Sequence, residues 1–492
     1  MSIKEIEQMI LKEFSSYKID KSSLDKFKKE GGAYERAGFL TDIIGKVVES
    51  ANLLSKGIQV GKSSEPPFMY FTGQIYETIE YALFRRCVKL YLTSIGMIPQ
   101  DWLKFANKII AEAKEPVLLK KFKKHPKFIA FSNCVVDFET LQVFAFSPSI
   151  HIDTQLDYDF DMRSECPIWK TFLNQVLPDE GSRLILQQFF GLAFLDRYNN
   201  ENKVEKALIL VGEGSNGKSV IFQTMMNIFG THAISNMDLN SLAKGGDEGQ
   251  RNMAMLEGKR FNYCSEEQIG KVIQRSDIFK TLVSGEPLYA RRIGENSFRI
   301  DNVPFLVFNM NRLPKFNDDS HGLRRRIMIL SFDIIIPDEL QDRRLAHKLK
   351  AERAGILKWL YDGYQMLKFK GFEFVDSQKA ERSYQEFLNN QDTIRGWLTT
   401  RNIRNRPLYG YIDDEPSEAY ASDLYLDYVS YCETSNKPSQ TQNFFGRDLQ
   451  EKGFEKRRDS KGNKYIFYGY DTTAVKDYEF FEQAKARMAS EG

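Results

Sequence analysis

The chain has 492 residues, of which 42% are apolar and 28% charged, and its formal net charge is only +2. This length predicts roughly three domains, and a nearly neutral chain can bind nucleic acid only through local basic patches. No apolar run approaches the ~20 residues of a membrane-spanning helix. Residues 1–7 have no signal-peptide core, and the five cysteines and five histidines are scattered. We therefore expect a reduced cytoplasmic protein without a membrane segment or a structural metal cluster.

The first 130 residues are Lys-rich and carry no catalytic pattern. Residues 1–60 are predicted to form helices that break at Gly31-Gly32, because paired glycines interrupt a helix. Residues 71–97 also have helical spacing. The run 118–127 contains five lysines and no acid, so it is either a contact for duplex DNA or a solvated helix face.

Three acids alternate along one predicted strand, at Asp157, Asp159 and Asp161. A two-metal polymerase or primase site could use such a row. That chemistry would need further acids, a histidine and a larger domain before residue 130. We therefore favour an ordinary structural segment here.

The most specific motif is G-E-G-S-N-G-K-S at residues 212–219. An apolar strand-like run precedes it at 207–211, and residues 220–226 have helical spacing, which is the context that a phosphate-binding loop requires. We predict that Lys218 reaches the β- and γ-phosphates of ATP and that the Ser219 hydroxyl ligates Mg²⁺. The predicted ATP-binding residues are Gly212, Glu213, Gly214, Ser215, Asn216, Gly217, Lys218, Ser219 and Val220.

Two glutamates follow the next strand-like run, at Glu266 and Glu267. One carboxylate would hold Mg²⁺, for which we assign Glu266, and the other would polarise the attacking water. The division of roles between them stays open, and tandem glutamates are also common on surfaces.

Residues 288–300 have two β-rich arms around a Gly-Glu-Asn turn, which predicts a hairpin.

The next apolar strand, 305–310, is followed by Asn311, which could sense the γ-phosphate or simply cap a turn. Asn309 is the competing candidate. Three arginines, 324–326, then precede another strand. One of them could be an arginine finger that reaches a neighbouring subunit's site, which requires an oligomer.

The C-terminal region, residues 385–492, is predicted to be a winged-helix-like domain. Residues 421–433 and 442–453 have helical spacing, and a basic hairpin follows at 454–467. Lys456, Arg457 and Arg458 are the predicted DNA contacts there. The alternative is that this region only packs against the rest of the protein.

The order of these blocks resembles the superfamily 3 helicases, an AAA+-related group of viral, phage and plasmid replication proteins. Residues 131–140, 146–148, 167–173 and 186–193 also resemble the domain that precedes the ATPase in poxvirus and phage primase–helicases. Initiators of staphylococcal pathogenicity islands and chromosome cassettes share this arrangement without a primase domain. By the family's spacing, Arg325 is the finger, with Arg326 next. Lys280, Arg291, Arg292 and Arg299 would contact DNA in a central channel.

The resemblance, which covers about residues 65–370, implies an α/β preamble domain at 66–200 and an AAA+-like P-loop ATPase core with a parallel sheet at 201–375. With the helical residues 1–65 and the winged-helix-like domain at 385–492, which the residue patterns predict, the fold class is multidomain. The resemblance also implies an ATP- and Mg²⁺-dependent DNA helicase and replication initiator of a mobile element or phage. This helicase would be a homo-hexamer translocating 3′ to 5′ on single-stranded DNA. Origin duplex and host replication proteins would be partners, in the cytoplasm of a bacterial host. The alternatives are an ATP-switched origin-binding initiator without processive unwinding and a DNA-packaging or remodelling ATPase.

Overall fold

The computed structural model describes residues 2–29, 33–55, 68–96, 111, 117, 120–123, 127–242, 244–264, 272–273, 276–294, 296–311, 315–316, 321–407, 416–435, 437–460 and 462–469. Over these ranges the chain is a multidomain α/β protein whose centre is a five-stranded parallel sheet. None of the described helices is long and apolar enough to cross a membrane. All five cysteines are buried free thiols.

The N-terminal elements are helices around a small antiparallel sheet. They are α1 (Ile3–Ser16), α2 (Lys21–Lys29), α3 (Ala33–Ser50), β1 (Leu53–Ser55), β2 (Phe68–Phe71), β3 (Tyr76–Ile79) and α4 (Tyr81–Ser94). Helix α1 begins with a capping box in which Ser2 and Glu5 bond each other's backbone N–H groups, the usual stabilisation of a helix start. One hydrophobic core joins residues 6 to 117, so it spans both sides of the predicted boundary at 65/66.

The prediction of a helix over 71–97 is wrong at its beginning. Gly73 has φ of +98°, and the Thr72 hydroxyl donates to the Ile75 carbonyl oxygen at 2.8 Å. This tight turn reverses the chain, so β3 pairs antiparallel with β2 before α4 begins. A glycine in the left-handed region and a side-chain-bonded turn together outweigh the helical spacing.

The next elements form a meander and two helices that lead into the central sheet. They are β4 (Phe128–Ala130), β5 (Val135–Asp137), β6 (Gln142–Phe144), α5 (Pro167–Val176), α6 (Glu180–Gly191) and a 3-10 turn at Leu192–Phe194. Their core residues, including Phe131, Trp169 and Phe190, join one cluster with the strands of the central sheet. This core continues across the predicted boundary at 200/201.

The central region contains β7 (Ala207–Val211), α7 (Lys218–Phe229), β8 (Ile234–Ser235), α8 (Leu239–Leu242), α9 (Gly246–Ala254), β9 (Phe261–Cys264), β10 (Val272–Ile273), α10 (Ser276–Ser284), β11 (Leu288–Ala290), β12 (Phe298–Ile300), β13 (Phe305–Met310), β14 (Lys315–Phe316), α11 (His321–Arg324), β15 (Ile327–Ser331), a 3-10 turn (Asp338–Leu340), α12 (Leu345–Ala351), α13 (Arg353–Phe369) and α14 (Gln378–Gln391). The sheet order is β15-β7-β13-β9-β8, and every pair is parallel.

This parallel sheet is buried on both faces, which explains its nearly continuous apolar strands. One face packs on α7 and α13, and the other on α10, the β11–β12 hairpin and α14. Helices α6 and α13 approach closely because Gly363 faces the Gln187 backbone and Gly191 faces the Tyr364 backbone. Because all five strands run in the same direction, their carboxyl ends lie together at one end of the sheet. Ligands of open α/β sheets bind at this end.

The C-terminal elements are α15 (Thr393–Thr400), β16 (Ser417–Tyr420), α16 (Ala421–Thr434), α17 (Gln442–Glu451), β17 (Lys456–Arg458) and β18 (Asn463–Phe467). The antiparallel sheet order is β16-β18-β17. Trp397, Tyr428 and Phe445 stack in a separate core, where the Trp397 indole N–H donates to Asp427 at 2.8 Å. The two helices and the hairpin lie where the sequence predicts them. Their role as a DNA-binding domain stays a prediction.

Candidate functional site

The loop between β7 and α7 is a tight turn at the carboxyl edge of the sheet. Gly217 precedes α7 with φ of +88°, and Ser215 has φ of +59°. A side chain at Gly212 would collide with the Asn216 amide and the Phe332 carbonyl oxygen. Glycine is therefore required at both positions, and the turn ends at a helix N-terminus, where N–H groups and the helix dipole favour an anion.

The Lys218 side chain is almost completely buried beneath this loop. Its ammonium group donates to the Gly212 carbonyl oxygen and to Asn216 Oδ1, the latter at 2.9 Å. The Asn216 amide in turn donates to the Phe332 carbonyl oxygen at 3.1 Å. Burial lowers the pKa of Lys218, because desolvation penalises the charged form. Both partners are neutral oxygens, so a phosphate would be a stronger partner for this cation.

A cavity of about 1190 Å³ opens in front of the loop, which is ample for a nucleotide-sized ligand. Of the nine predicted ATP-binding residues, the seven from Gly214 to Val220 line it, and Gly212 and Glu213 do not. Ser219 is exposed to the cavity at the first turn of α7. The remaining lining residues are Pro167, Ile168, Thr171, Phe172, Gln175, Asn309, Asn311, Ile336, Leu340, Gln341, Asp342, Arg343 and Leu345.

Two segments distant in sequence complete the cavity. Helix α5 packs directly on the loop, since a Cβ at Gly217 would lie 2.9 Å from the Phe172 ring. Residues 336–345 form another wall and place Arg343 beside the cavity as a lining cation in addition to Lys218. Sequence reasoning missed these residues. Residues 167–173 were visible only through their resemblance to the domain that precedes the ATPase, and this resemblance says nothing about what α5 packs against.

The two candidate sensor asparagines have different environments. Asn309 is buried, its Oδ1 accepts from the Tyr263 hydroxyl at 3.0 Å, and its amide donates to the Lys218 carbonyl oxygen at 3.5 Å. Asn311 follows the end of β13, is exposed, and lines the cavity. Asn309 therefore ties three elements together, whereas Asn311 is available to a ligand.

We expect Asn309→Ala to lower the free energy of unfolding by about 1–3 kcal/mol, because the buried Tyr263 hydroxyl loses its acceptor. Asn311→Ala should leave stability unchanged and slow nucleotide hydrolysis by about 10²-fold, the cost of removing one transition-state hydrogen bond. Urea denaturation and steady-state ATPase assays on the two variants measure these effects. A stable Asn309→Ala protein with slow hydrolysis would reverse the assignment.

The predicted acids Glu266 and Glu267 lie outside the described residues. The strand before them, β9, ends at Cys264, which pairs with Phe308 of β13. Its carboxyl end is therefore at the same edge of the sheet as the loop. Their assignment as Mg²⁺ ligand and water-polarising base stays a prediction.

The two predicted fingers lie at the amino-terminal ends of the strands, whereas the loop lies at their carboxyl ends. Arg325 and Arg326 precede β15, and both contact Glu205, at 3.0 and 3.1 Å. Arg325 is half-exposed, whereas Arg326 is mostly buried and also donates to the Ser284 hydroxyl at 3.0 Å. Five strand residues, about 16 Å, separate them from the end of β7, where the loop begins. Neither arginine lines the cavity of its own chain.

The predicted hairpin is present as β11 and β12, with Tyr289 opposite Arg299. Arg292 forms an ion pair with Glu257 and lies 4.4 Å from the Phe298 ring centroid. Arg291 lies 3.7 Å from the Asp247 carboxylate, and Arg299 lies 2.6 Å from the Asp301 carboxylate. Among the described residues of the hairpin, the most exposed apolar side chain is Ile293, which is 83% exposed. Lys280 lies outside the hairpin, on α10.

The hairpin and α10 are attached to the core through a buried arginine that the sequence did not indicate. The Arg197 guanidinium donates to the carbonyl oxygens of Leu282, Val283 and Val303, among others, and lies 4.3 Å from the Phe305 ring centroid. Burial lowers its pKa to about 9. Because Leu282 and Val283 lie in the last turn of α10 and Val303 lies between β12 and β13, Arg197 joins the end of this helix and the end of the hairpin to the core.

The three predicted DNA contacts of the C-terminal hairpin lie on two faces. Residues that pair across an antiparallel ladder share a face. Lys456 pairs with Tyr465 and Arg458 with Asn463, whereas Arg457 pairs with Lys464 on the other face. Arg457 is bound there to Glu455 at 3.0 Å and to Glu418 at 3.3 Å. Lys456 and Arg458 are exposed.

Two acids of the row at 157–161 have partners other than one another in the described structure. Asp157 forms an ion pair with Arg353, and Asp161 accepts from the Ser164 hydroxyl at 2.7 Å. Within the described part of the chain, no three His, Cys, Asp or Glu side chains are grouped so that they could hold a metal ion.

Two protein-family models match parts of this chain. Residues 100–178 match the D5 N terminal like family, and residues 210–326 match a family of unknown function, DUF5906. The first covers the region before and including α5, and the second covers the loop, the hairpin and the predicted fingers.

Viral proteins are among the similar sequences. "Putative helicase 184R" of Invertebrate iridescent virus 6 is 27% identical over 237 residues, which is 45% of this chain and 24% of that protein. "Putative primase C962R" of African swine fever virus is 23% identical over 370 residues, 68% of this chain and 37% of that protein. This chain is similar to D5-type viral helicases and primases. It spans about a quarter to a third of the length of these relatives.

Among solved structures, the C-terminal region of NrS-1 aligns with 86% of this chain and 97% of that chain, at 13% identity and a TM-score of 0.48. A second structure of that region, covering 87% of this chain and 98% of that chain at 12% identity, has a TM-score of 0.46.

Proposed function

We propose that the protein is an ATP-dependent DNA helicase that initiates replication of a phage or mobile genetic element. The observation that carries the proposal is the cavity at the carboxyl ends of the parallel strands, which is lined by residues 214–219 of a complete G-x-x-x-x-G-K-S motif. The similarity to viral proteins named helicase and primase supports the same class of activity.

ATP would bind with its phosphates on the loop. The Lys218 ammonium would exchange its bonds to Gly212 and Asn216 for bonds to the β- and γ-phosphates, which are stronger because the acceptors are charged. The apolar side chains of Ile168 and Phe172 offer a surface for the base. The exposed Ser219 hydroxyl is a hard oxygen donor that suits Mg²⁺, with Glu266 as the second predicted ligand. Bound Mg²⁺ neutralises phosphate charge.

Hydrolysis would need a second subunit. Arg325 is half-exposed at the edge of the sheet opposite the loop of its own chain. In a ring of identical subunits, one protomer's Arg325 could reach its neighbour's cavity and stabilise charge on the γ-phosphate. We propose a homo-hexamer, with Glu267 and Asn311 orienting the attacking water.

Single-stranded DNA would pass the β11–β12 hairpin in the ring channel. Its arginines could exchange acidic partners for phosphates, and the exposed Ile293 and Tyr289 side chains could contact bases. Hydrolysis in successive subunits would then move the hairpins along one strand, in the 3′ to 5′ direction. The C-terminal region would bind origin duplex, and host replication proteins would complete the assembly in the bacterial cytoplasm.

The double variant Arg291→Ala/Arg292→Ala tests the hairpin. We expect strand displacement on a forked DNA to fall at least about 10-fold, because each lost hydrogen bond to a charged phosphate is worth about 1.5–3 kcal/mol. ATPase activity without DNA should stay within about two-fold of wild type, since neither residue lines the cavity and contributions of distant sites are independent.

The matched control is Arg163→Ala/Arg382→Ala, which removes two exposed arginines elsewhere. Normal unwinding by the hairpin variant would contradict its role. If wild type shows DNA-stimulated ATPase without unwinding, the protein is instead an ATP-switched initiator. Translocation on duplex without a hairpin effect would indicate a packaging or remodelling ATPase.

A further inference from the structure

A second cavity, of about 430 Å³, lies between the central region and the C-terminal elements. We call it the basic cleft. Arg324, the last residue of α11, lies on one side, and residues of α15 and of the segments that flank α17 and β17 lie on the other. The lining residues are Arg324, Asp392, Arg395, Leu398, Ile403, Arg404, Asn405, Lys452 and Phe454.

The charges around this cleft favour an anion. Three arginines and a lysine line it, against one carboxylate, and all four cations are partly buried. Lys452 is bound to Asp392 and Asp448, both at 2.7 Å. These two acids carry one charge more than the lysine, so the positive charge of the cleft comes from its three arginines. The Arg395 guanidinium donates to Gln385 Oε1, a neutral amide oxygen, at 3.0 Å.

Partly buried walls strengthen the field of such a cluster, because the local dielectric is lower than in water. Guanidinium groups also match the geometry of phosphate oxygens, with two parallel N–H donors for each contact. A phosphate group is therefore the ligand that this cleft fits best.

The surroundings favour a chain of phosphates over a single one. Phe454 lines the cleft, and the Ile466 N–H donates to the Glu455 carbonyl oxygen at 3.0 Å, so the β17–β18 ladder reaches back to the cleft. Residues two apart on a strand share a side and are about 6.6 Å apart. Lys456 and Arg458 therefore share one side of β17, which begins two residues after Phe454, and both are exposed.

We propose that the basic cleft binds backbone phosphates of DNA that continues along Lys456 and Arg458. Arg457 takes no part, since Glu418 and Glu455 hold it on the other face. DNA in the cleft would touch Arg324, which directly precedes the two predicted fingers. Binding there would thereby couple DNA occupancy of the C-terminal region to hydrolysis. This inference rests on the proposed function and adds a DNA site away from the hairpin.

The test is the salt dependence of DNA binding by the full chain. The variant Arg324→Gln/Arg395→Gln should lower the slope of log K against log salt by about 1 to 2 with a fluorescent duplex, because each phosphate contact contributes about 0.9. Stimulation of the ATPase by DNA should fall in parallel. Binding of a non-hydrolysable ATP analogue without DNA should be unchanged.

Two further variants make the result decisive. Arg324→Lys/Arg395→Lys should keep most of the slope, which excludes misfolding as the cause. Arg163→Gln/Arg382→Gln, which removes two exposed arginines outside the cleft, should match wild type. A Gln variant that matches this control in slope and affinity would overturn the cleft proposal and leave the helicase proposal intact.

Two other results would also overturn it. Wild-type protein that binds no DNA would remove both proposals. If inorganic tripolyphosphate stabilises wild type but not the Gln variant, and DNA binding is equal in both, the cleft takes a free polyphosphate instead.

Discussion

Lys218→Ala is expected to lower the rate of ATP hydrolysis by at least about 10²–10³-fold, the cost of losing one preorganised charge at the transition state. The Lys218 ammonium reaches the loop from a buried position, and its hydrogen-bond partners among the described residues are the neutral oxygens of Gly212 and Asn216. Removing a buried cation with neutral partners should change the free energy of unfolding by only about 1 kcal/mol, since relief from desolvation offsets the lost bonds.

Nucleotide binding by calorimetry, ATPase rates and urea denaturation of the same protein measure these effects. Lys368→Ala is the matched control, because Lys368 is exposed on α13. Hydrolysis within about 10-fold of wild type would show that the cavity is not the nucleotide site.

The second large effect concerns the fingers. Arg325→Ala should bind ATP normally and lose hydrolysis by about 10³-fold or more, as expected for an arginine that acts in the transition state. Because the residue lies at the sheet edge opposite its own loop, we expect complementation in mixed rings. A subunit with Lys218→Ala still offers Arg325, and a subunit with Arg325→Ala still offers Lys218. At equal mixing, about one quarter of the interfaces would be intact if subunits assemble at random.

Arg326→Ala provides the contrast within the same segment. Arg326 is mostly buried and donates to Gly322 and Ser284. Its removal should lower the free energy of unfolding by about 1–3 kcal/mol, whereas Arg325→Ala should not. Two inactive variants that stay inactive when mixed would mean that Arg325 does not act between subunits. If mixing with Lys218→Ala restores hydrolysis to Arg326→Ala but not to Arg325→Ala, Arg326 is the residue that acts between subunits.

Much of this site is local in sequence, and those parts could be predicted. The loop is eight consecutive residues between a strand and a helix, and its glycine positions follow from the backbone conformations that it needs. The hairpin was also visible, because two β-rich arms around a turn form a unit through contacts close in the chain. The helix predicted from residue 71 failed because Gly73 adopts a left-handed conformation and the Thr72 hydroxyl and backbone bond Ile75 across the turn, which the apolar spacing does not reveal.

The choice between two asparagines shows where sequence reasoning ends. Asn309 and Asn311 are two residues apart and occupy the same strand end, so spacing alone cannot separate them. The Tyr263 hydroxyl on the neighbouring strand donates to Asn309, which is buried. Asn311 lies beyond the end of β13. This decision depends on a partner 46 residues away in the chain.

The sequence by itself determined the G-x-x-x-x-G-K-S loop between a strand and a helix, the order of the strands along the chain and where the candidate acids, sensors and arginines stand in the chain. These features depend on residue type and short-range spacing, which the backbone's limited conformations translate directly into structure. Only the tertiary structure decided that α5 and residues 336–345 enclose the cavity, that Arg325 and Arg326 lie far from their own loop, and that Arg324 meets Arg395 across a cleft. Each of these depends on the packing of segments far apart in the chain, and hydrophobic burial selects that packing without regard to direction or sequence separation.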